Sequence, residues 1–166
     1  VGAPVGGGKG AGWLEHPRVG FNYRMDEMSA ALGVSQLARI DETLTRRQRI
    51  ADHYRGRLRE LKGKFILPME ISGYTRAWST FNVVCREGVS REKVTAALGE
   101  KGIATERYFD PPLHLQKFYR EKYGFARGML PITEGMAAQI FAVPFFTTLS
   151  VDEVDYICDA LTAATA

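Results

Sequence analysis

An amide and a guanidinium stand close together directly before a predicted helix. Asn22 and Arg24 lie in the run GFNYRMDE, and Asp26 is a suitable N-cap for a helix that starts behind it. A helix N-terminus favours anions because its free backbone N–H groups and its dipole both attract negative charge. A fork-shaped guanidinium strengthens such a site. The motif therefore indicates anion binding, although a turn-forming asparagine beside a surface arginine also explains it.

A second group of polar side chains surrounds two consecutive prolines. Tyr108 lies near the end of a predicted strand, and His114 follows Pro111 and Pro112. Polar and aromatic side chains at strand ends and in rigid loops are common in binding sites. Two interpretations of His114 stay open from spacing alone: a site residue, or a surface histidine stacked on proline.

The glycine-rich start, VGAPVGGGKGAG, does not fit a phosphate-binding loop. In the pattern G-x-x-x-x-G-K-[ST], counted back from Lys9, the first glycine would fall on Ala3 and the hydroxyl residue on Gly10. Neither position fits, and no apolar strand precedes them. We expect residues 1–12 to be a flexible lead-in.

The histidines and cysteines form no recognisable metal pattern. His16, His53 and His114 are scattered, and neither cysteine is near a histidine. Because zinc sites need closely spaced ligands, we expect no metal. A Cys–His nucleophilic pair stays open, but the apolar neighbours of Cys85 and Cys158 favour core positions. The absence of a disulfide framework fits a reducing, cytoplasmic location.

The elements that position these residues begin with a long helical pattern. Apolar residues recur mostly at three- and four-residue steps from Asp26 to about Leu61. Gly33 and Gly56 each weaken a helix by about 1 kcal/mol, so the pattern predicts one bent helix or two consecutive helices. The outer face mixes basic with acidic residues, which indicates a solvated surface and not a nucleic-acid stripe.

Strands and a helix alternate in the middle of the chain. The segments RAWSTFNVVCRE (76–87) and IATERYF (103–109) are typical of strands, and Ser90 caps a helix between them. This order predicts a βαβ unit.

The last third of the chain is predicted to be mainly helical. A helical turn is expected near 118–123, and Thr133 is a candidate cap for a helix through Ile140. A short extended piece follows around Pro144. Ser150, with glutamate three residues later, forms a capping box for the last helix.

The composition is that of an ordinary globular protein. The chain has 166 residues, of which 45% are hydrophobic and 25% charged, and this suggests one domain or one domain with an appendage. A net charge of +3 is too small to indicate a nucleic-acid partner. No apolar run approaches the length of a membrane span, so we expect no membrane partner either.

The order of motifs resembles the DegT/DnrJ/EryC1/StrS family of pyridoxal-phosphate-dependent sugar aminotransferases and their relatives, of fold type I. The resemblance lies in GFNYRMDEMSAALGVSQLARIDETLTRRQRIADHY, then PPLHLQKFY, PITEGMAAQIFAVPFF and LSVDEVDYI. It covers the chain from about Trp13 to the end. It implies an α/β fold (an α+β small domain): a long N-terminal helix, then a few-stranded sheet with flanking helices.

The resemblance also implies roles for four residues. Asn22 matches the family asparagine that reaches the cofactor phosphate of the neighbouring subunit, and Arg24 matches a residue at the substrate end of the pocket. His114 and Tyr108 match the sugar-nucleotide pocket. The implied substrates are a keto-sugar nucleotide and an amino-acid donor, bound by a homodimer or a higher oligomer.

The family's cofactor domain has no counterpart in this sequence. In the family, the Schiff-base lysine lies several tens of residues before the asparagine, whereas Lys9 is close to Asn22 and lies in a glycine run. We therefore expect the C-terminal segment of such an enzyme, without a catalytic residue and inactive in isolation, with pyridoxal phosphate bound only in the full-length parent. The alternative is a free-standing binding or interaction module.

The resemblance implies a division into residues 1–12 as lead-in, 13–62 as a loop and a long interdomain or dimer helix, and 63–166 as the small domain. The apolar face of that helix, formed by Met28, Leu32 and Leu37, needs a partner, so we expect oligomers. The sequence names neither the sugar nor the amino donor. It also does not separate aminotransferases from the family's dehydratase relatives.

Overall fold

The structure is a computed structural model that describes Phe21 and residues 23–165. The predictions for residues 1–12, including Lys9, and for Asn22 lie outside the described residues. The chain divides into two compact units, Val1–Ile40 and Asp41–Ala166.

The first unit contains helix α1, Glu27–Leu37. Asp26 is its N-cap, as predicted: the Asp26 carboxylate accepts hydrogen bonds from the backbone N–H of Ser29 at 2.9 Å and from the Ser29 hydroxyl at 2.7 Å. None of the side chains of α1 is buried, and Met28 is 83% exposed. The apolar side chains predicted to need a partner are therefore uncovered.

Helix α2, Ile40–Arg57, starts after a short break, so two consecutive helices replace the single bent one. The break lies at Ala38 and Arg39, where the Arg39 N–H donates to the Gln36 carbonyl at 3.1 Å in a tight turn. Both glycines of the helical pattern lie inside helices, because an interior glycine costs only about 1 kcal/mol. A 3₁₀ turn, Arg59–Gly63, follows α2.

A small antiparallel sheet forms the centre of the second unit. Its strands are β1 (Phe65–Ile66), β2 (Phe81–Cys85) and β3 (Ile140–Val143), in the order β1-β2-β3. Phe65 pairs with Cys85, and Phe81 pairs with Val143. β2 is therefore the central strand, with β1 on one side and β3 on the other.

The predicted βαβ unit is wrong. Within residues 103–109 only Glu106 pairs, through an isolated antiparallel bridge to Ala142, and the rest of the segment is not a strand. Ile103 is buried, but Tyr108 and Phe109 point outward and are exposed. Residues of high strand propensity are those that pack well on a half-buried pleated surface. This segment pairs with the sheet at Glu106 only, so its composition does not make it a strand.

Four helices complete the second unit: α3 (Arg91–Glu100), α4 (Lys117–Tyr123), α5 (Pro131–Gln139) and α6 (Val151–Ala163). The Ser90 cap and the Ser150 capping box are confirmed. The cap at Thr133 is wrong, because α5 begins two residues earlier at Pro131, whose ring fixes a helical φ at the first position. Ile140 belongs to β3 and not to the helix.

The core lies between one face of the sheet and helices α2, α3 and α6. Tyr54 of α2 stacks on Phe81 at a ring-centroid distance of 4.8 Å, and Trp78 stacks on the same ring at 5.9 Å. Both cysteines are buried and unpaired, as predicted. Burial raises the pKa of Cys85 to about 11 and that of Cys158 to about 12, so neither thiol is reactive at neutral pH.

The described residues hold six α-helices and a three-stranded antiparallel sheet. The predicted α/β class, with a small sheet flanked by helices, is confirmed. Within this part of the chain, no helix combines the length and the apolar character that crossing a membrane requires.

Candidate functional site

Arg24 lies just before α1, with its side chain exposed. The hydrogen bonds from Ser29 lower the pKa of Asp26, so a carboxylate charge already occupies the N-terminus of α1. An anion bound here would be held by side chains such as Arg24 and not by the open end of the helix. Asn22, the other member of the predicted site, is outside the described residues.

His114 is 6% exposed, so its interpretation as a surface histidine stacked on proline is wrong. It lies in a 3₁₀ turn, Leu113–Leu115. Its Nε2 is 3.2 Å from Oε1 of Glu134, and its ring meets Phe125 edge-on at 6.0 Å. The histidine is held from two sides.

Glu134 connects His114 to the loop before α5. Its carboxylate accepts the N–H of Gly128 at 2.9 and 3.0 Å and the N–H of Leu130 at 3.3 Å. The backbone hydrogen bond from Gly128, followed by the bond from His114, lowers the pKa of Glu134. Gly128 has a φ of +87°, a conformation that favours glycine.

We expect Glu134→Gln to loosen this loop, because an amide presents an N–H₂ group where the loop N–H groups need an acceptor. Hydrogen exchange should then speed up at Gly128 and Leu130. The folded-state pKa of Glu134 is depressed, so its stabilisation is present above the unfolded pKa near 4.5 and is lost as the pH falls through the folded value. The glutamine variant should lack this part of the acid dependence.

The matched control for that change is Glu121→Gln. Glu121 is exposed, and its carboxylate forms only a long ion pair with Lys117, at 3.9 Å. Urea unfolding at several pH values and hydrogen exchange should leave this control like the parent chain. Equal exchange at Gly128 in both variants would contradict the role assigned to Glu134.

Tyr108 is 39% exposed and lines a shallow cavity of about 220 Å³ at the end of the sheet. Glu106 and Phe145 line the same cavity, but His114 does not. Tyr108 and His114, the two predicted pocket residues, therefore lie in one loop but do not line the same cavity.

Arg91 is a buried charged residue that the sequence analysis missed. The residue is 5% exposed, and its guanidinium donates to the Ala137 carbonyl at 2.7 Å and to the Asp110 carboxylate at 2.9 Å. Burial acts to lower the pKa of Arg91, but its hydrogen bonds to Asp110 and Glu92 raise it on balance. Arg91 thus fastens the loop that carries Tyr108.

The described residues do not by themselves fit pyridoxal phosphate. A lysine that forms an imine with this cofactor is activated by desolvation or a neighbouring charge. Every lysine among residues 23–165 is exposed. Lys64 donates to the Thr165 carbonyl at 2.9 Å, and Lys122 lies over the Phe118 ring at 5.2 Å.

Comparisons with known proteins match this chain to one family. Residues 5–162 match the sequence model of the DegT/DnrJ/EryC1/StrS aminotransferase family. The solved structure of a DegT DnrJ EryC1 StrS aminotransferase from Brucella abortus is 30% identical, with a TM-score of 0.76 over 94% of this chain. DesV from S. venezuelae, solved in complex with a ketimine intermediate, is 28% identical, with a TM-score of 0.80 over 92% of this chain.

A dehydratase shares the fold. E. coli GDP-4-keto-6-deoxy-D-mannose-3-dehydratase, solved with bound hydrated PLP, has a TM-score of 0.75 at 18% identity over 89% of this chain and 38% of its own. The chain spans 40% of the length of both the Brucella abortus aminotransferase and DesV.

Proposed function

Because the chain belongs to the DegT/DnrJ/EryC1/StrS aminotransferase family, we propose that it is the C-terminal segment of a pyridoxal-phosphate-dependent aminotransferase that acts on a keto-sugar nucleotide. The supporting observation is the length that is aligned: the Brucella abortus aminotransferase aligns with 94% of this chain but with only 40% of its own length. Residues 13–62 are the loop and the interdomain or dimer helix, and 63–166 are the small domain.

In this proposal the chain contributes binding groups and not the reactive amine. Asn22 binds the cofactor phosphate across a dimer, and Arg24 binds a negative group of the substrate. Arg24 supports this role because it is exposed and forms no ion pair with the described residues. His114 and Tyr108 contact the sugar nucleotide, with His114 oriented by Glu134 at 3.2 Å.

The isolated chain is then inactive and binds no cofactor. The exposed lysines of the described part support this, since none has the environment that activates an imine-forming amine. The same chain assembles into oligomers, because Met28, Leu32 and Leu37 expose an apolar face. Light scattering that finds a monomer with α1 ordered would contradict the oligomer. The two buried, unpaired cysteines support a cytoplasmic location.

The test uses the longest in-frame reading frame that contains this chain. That polypeptide should bind pyridoxal phosphate, and borohydride reduction should fix the cofactor to a lysine outside residues 1–166. The 166-residue chain treated in the same way should carry no label. Stable labelling of Lys9 would contradict the proposal.

The second candidate function is a binding or interaction module that reuses the small domain. The compact second unit favours this alternative, since it has a hydrophobic core of its own. A start codon directly before Val1 would decide for the module. A reading frame that continues upstream with a serine-rich strand and a lysine would decide for the enzyme.

A further inference from the structure

A groove of about 630 Å³ lies between the C-terminal part of α2 and residues 65–70 (the edge groove). On its helical side are Asp52, Arg55 and Gly56 of α2, which are spaced three and four residues apart and so share one face of the helix. On its other side are β1 and the irregular segment that follows this strand. The whole lining belongs to the second unit.

Strand β1 leaves one edge of the sheet free. The order β1-β2-β3 gives β1 a partner strand on one side only within the part of the chain that the structure describes. The Lys64 carbonyl accepts the Arg86 N–H at 2.9 Å and therefore points toward β2. Because the direction of the backbone N–H and C=O groups alternates along an antiparallel strand, those of Phe65 and Leu67 point to the free edge. A free edge of this kind is a template for a further strand.

Gly56 leaves the helical side of the edge groove open. It is exposed and has an ordinary helical backbone, and a Cβ added to it would meet no atom within 4 Å. Ala51 and Tyr54, on the neighbouring face of α2, are fully buried in the core. A polypeptide backbone can therefore approach α2 closely at Gly56, because no side chain stands between them.

The edge groove carries more basic than acidic side chains. Its lining contains four basic residues, Arg55, Arg59, Lys62 and Arg86, and two acidic ones, Asp52 and Glu70. Both acids already pair with the Arg55 guanidinium, at 3.4 and 2.7 Å. Arg59 and Lys62 are exposed, and they pair with no carboxylate among residues 23–165. Apolar surface adjoins these charges, since Ile66 is 40% exposed.

We infer that the edge groove binds an acidic peptide segment in an extended conformation, which adds a strand to the sheet beside β1. The backbone of this peptide pairs with Phe65 and Leu67, and such main-chain hydrogen bonds supply affinity in strand addition. Successive side chains of a strand point to opposite faces. A peptide that alternates acidic and apolar residues therefore presents its carboxylates to Arg59 and Lys62 and its apolar side chains to Ile66.

Other anionic partners fit the edge groove less well. The only aromatic residue in its lining is Phe65, which is 1% exposed, so no ring is available to stack on a nucleic-acid base. A membrane surface is bound by a projecting amphipathic face, whereas these basic residues line a groove. An extended peptide meets both the groove and the free strand edge.

This inference does not depend on the proposed function. The edge groove lies within the second unit, so it is present whether the chain is part of an aminotransferase or a separate module. Peptide binding and cofactor labelling are independent measurements, and a negative result in one leaves the other unaffected.

The direct test is an NMR titration of the 166-residue chain with the N-acetylated, C-amidated peptide Glu-Val-Glu-Val-Glu at low ionic strength. Amide exchange at Phe65 and Leu67 should slow about fivefold or more at saturation, whereas exchange at Ile66, which already pairs with Val84, should change little. The peptide Glu-Glu-Glu-Val-Val, which has the same charge without the alternation, should bind about fivefold more weakly. Equal binding of the two peptides would overturn strand addition.

The same titration separates the other partners. Lys-Val-Lys-Val-Lys should not bind, because it meets the basic side chains with like charge. Oligo(dT) and vesicles that contain phosphatidylserine should bind more weakly than the acidic peptide. Tighter or equal binding of either one, or shifts that map outside the edge groove, would overturn the inference.

A pair of double variants tests the charges. Arg59→Gln with Lys62→Gln should weaken binding of the acidic peptide about tenfold. Lys93→Gln with Lys101→Gln is the matched control, because it removes the same number of charges from exposed positions at α3. The control should bind as the parent chain does. Equal losses in both would show a general charge effect and overturn the site.

Gly56→Leu separates binding from folding. Leucine has the better helix propensity and its side chain enters open space, so Tm should not fall, while binding weakens about tenfold as the groove is filled. Gly99→Leu is the matched control, since Gly99 is likewise the second-last residue of its helix with open space beside it. Unchanged affinity in Gly56→Leu, a fall in its Tm, or an equal loss of binding in Gly99→Leu would overturn the inference.

Discussion

Replacing Phe81 with alanine should lower the free energy of unfolding by about 4 kcal/mol. Phe81 is fully buried at the start of β2, where its ring contacts Tyr54 at 4.8 Å and Phe145 at 6.3 Å between centroids. The smaller side chain would leave a cavity between the sheet and α2. Because close-packed neighbours relax only partly, the lost contacts are not regained.

Urea denaturation followed by tryptophan fluorescence measures this loss, since Trp78, one of the two tryptophans of the chain, also packs on Phe81. The matched control is Phe146→Ala, a phenylalanine that is 45% exposed. The control should cost about 1 kcal/mol or less, as is usual for surface substitutions. Similar losses at both positions would contradict the packing described for the core.

Arg91→Met should lower the free energy of unfolding by about 3 kcal/mol. Methionine keeps most of the volume, but it leaves the Asp110 carboxylate and the Ala137 carbonyl without the donor that now lies 2.9 and 2.7 Å away. Residues 107–112 should lose their attachment to α3. Hydrogen exchange in this segment should therefore rise more than elsewhere.

A second substitution checks the cause. Asp110→Asn, added to Arg91→Met, should restore part of the stability, because it removes the unpaired charge that the first change creates. Arg46→Met is the control, since Arg46 forms an exposed pair with Glu42 at 2.6 Å and such pairs contribute under about 1 kcal/mol. The role of Arg91 is refuted if its loss costs no more than that of Arg46.

Three of the helix starts were predictable because their signals are local. Asp26, Ser90 and Ser150 each accept a hydrogen bond from a backbone N–H three residues later, and a side chain alone fixes that pattern. The sequence pattern pointed to Gly33 and Gly56 as the weak points of the helix, but the break lies at Ala38. The break lies where the Arg39 N–H donates to the Gln36 carbonyl, and not at a residue of low helix propensity.

Strand pairing was not predictable in the same way. Residues 103–109 have strand composition, yet only Glu106 reaches a partner strand, at Ala142. Which segments pair depends on contacts between distant parts of the chain, and composition does not encode them. The order β1-β2-β3 brings residue 65 next to residue 85 and residue 81 next to residue 143.

The candidate site was predictable only by residue type. His114 was identified from its prolines, but its partner Glu134 lies on another helix, and no spacing rule connects the two. Arg91 carries no sequence signal, because a basic residue directly after a helix cap is ordinarily exposed.

Helix α1 has only eleven residues, and none of its side chains is buried. Helices shorter than about 12–15 residues are marginal in water, so backbone hydrogen bonds alone do not hold α1 firmly in the helical state. Any surface that covers Met28 and Leu32 must therefore also supply the free energy that orders the segment. If a second copy of this chain provides that surface, helicity and oligomer formation should rise together with protein concentration, as two readouts of a single equilibrium.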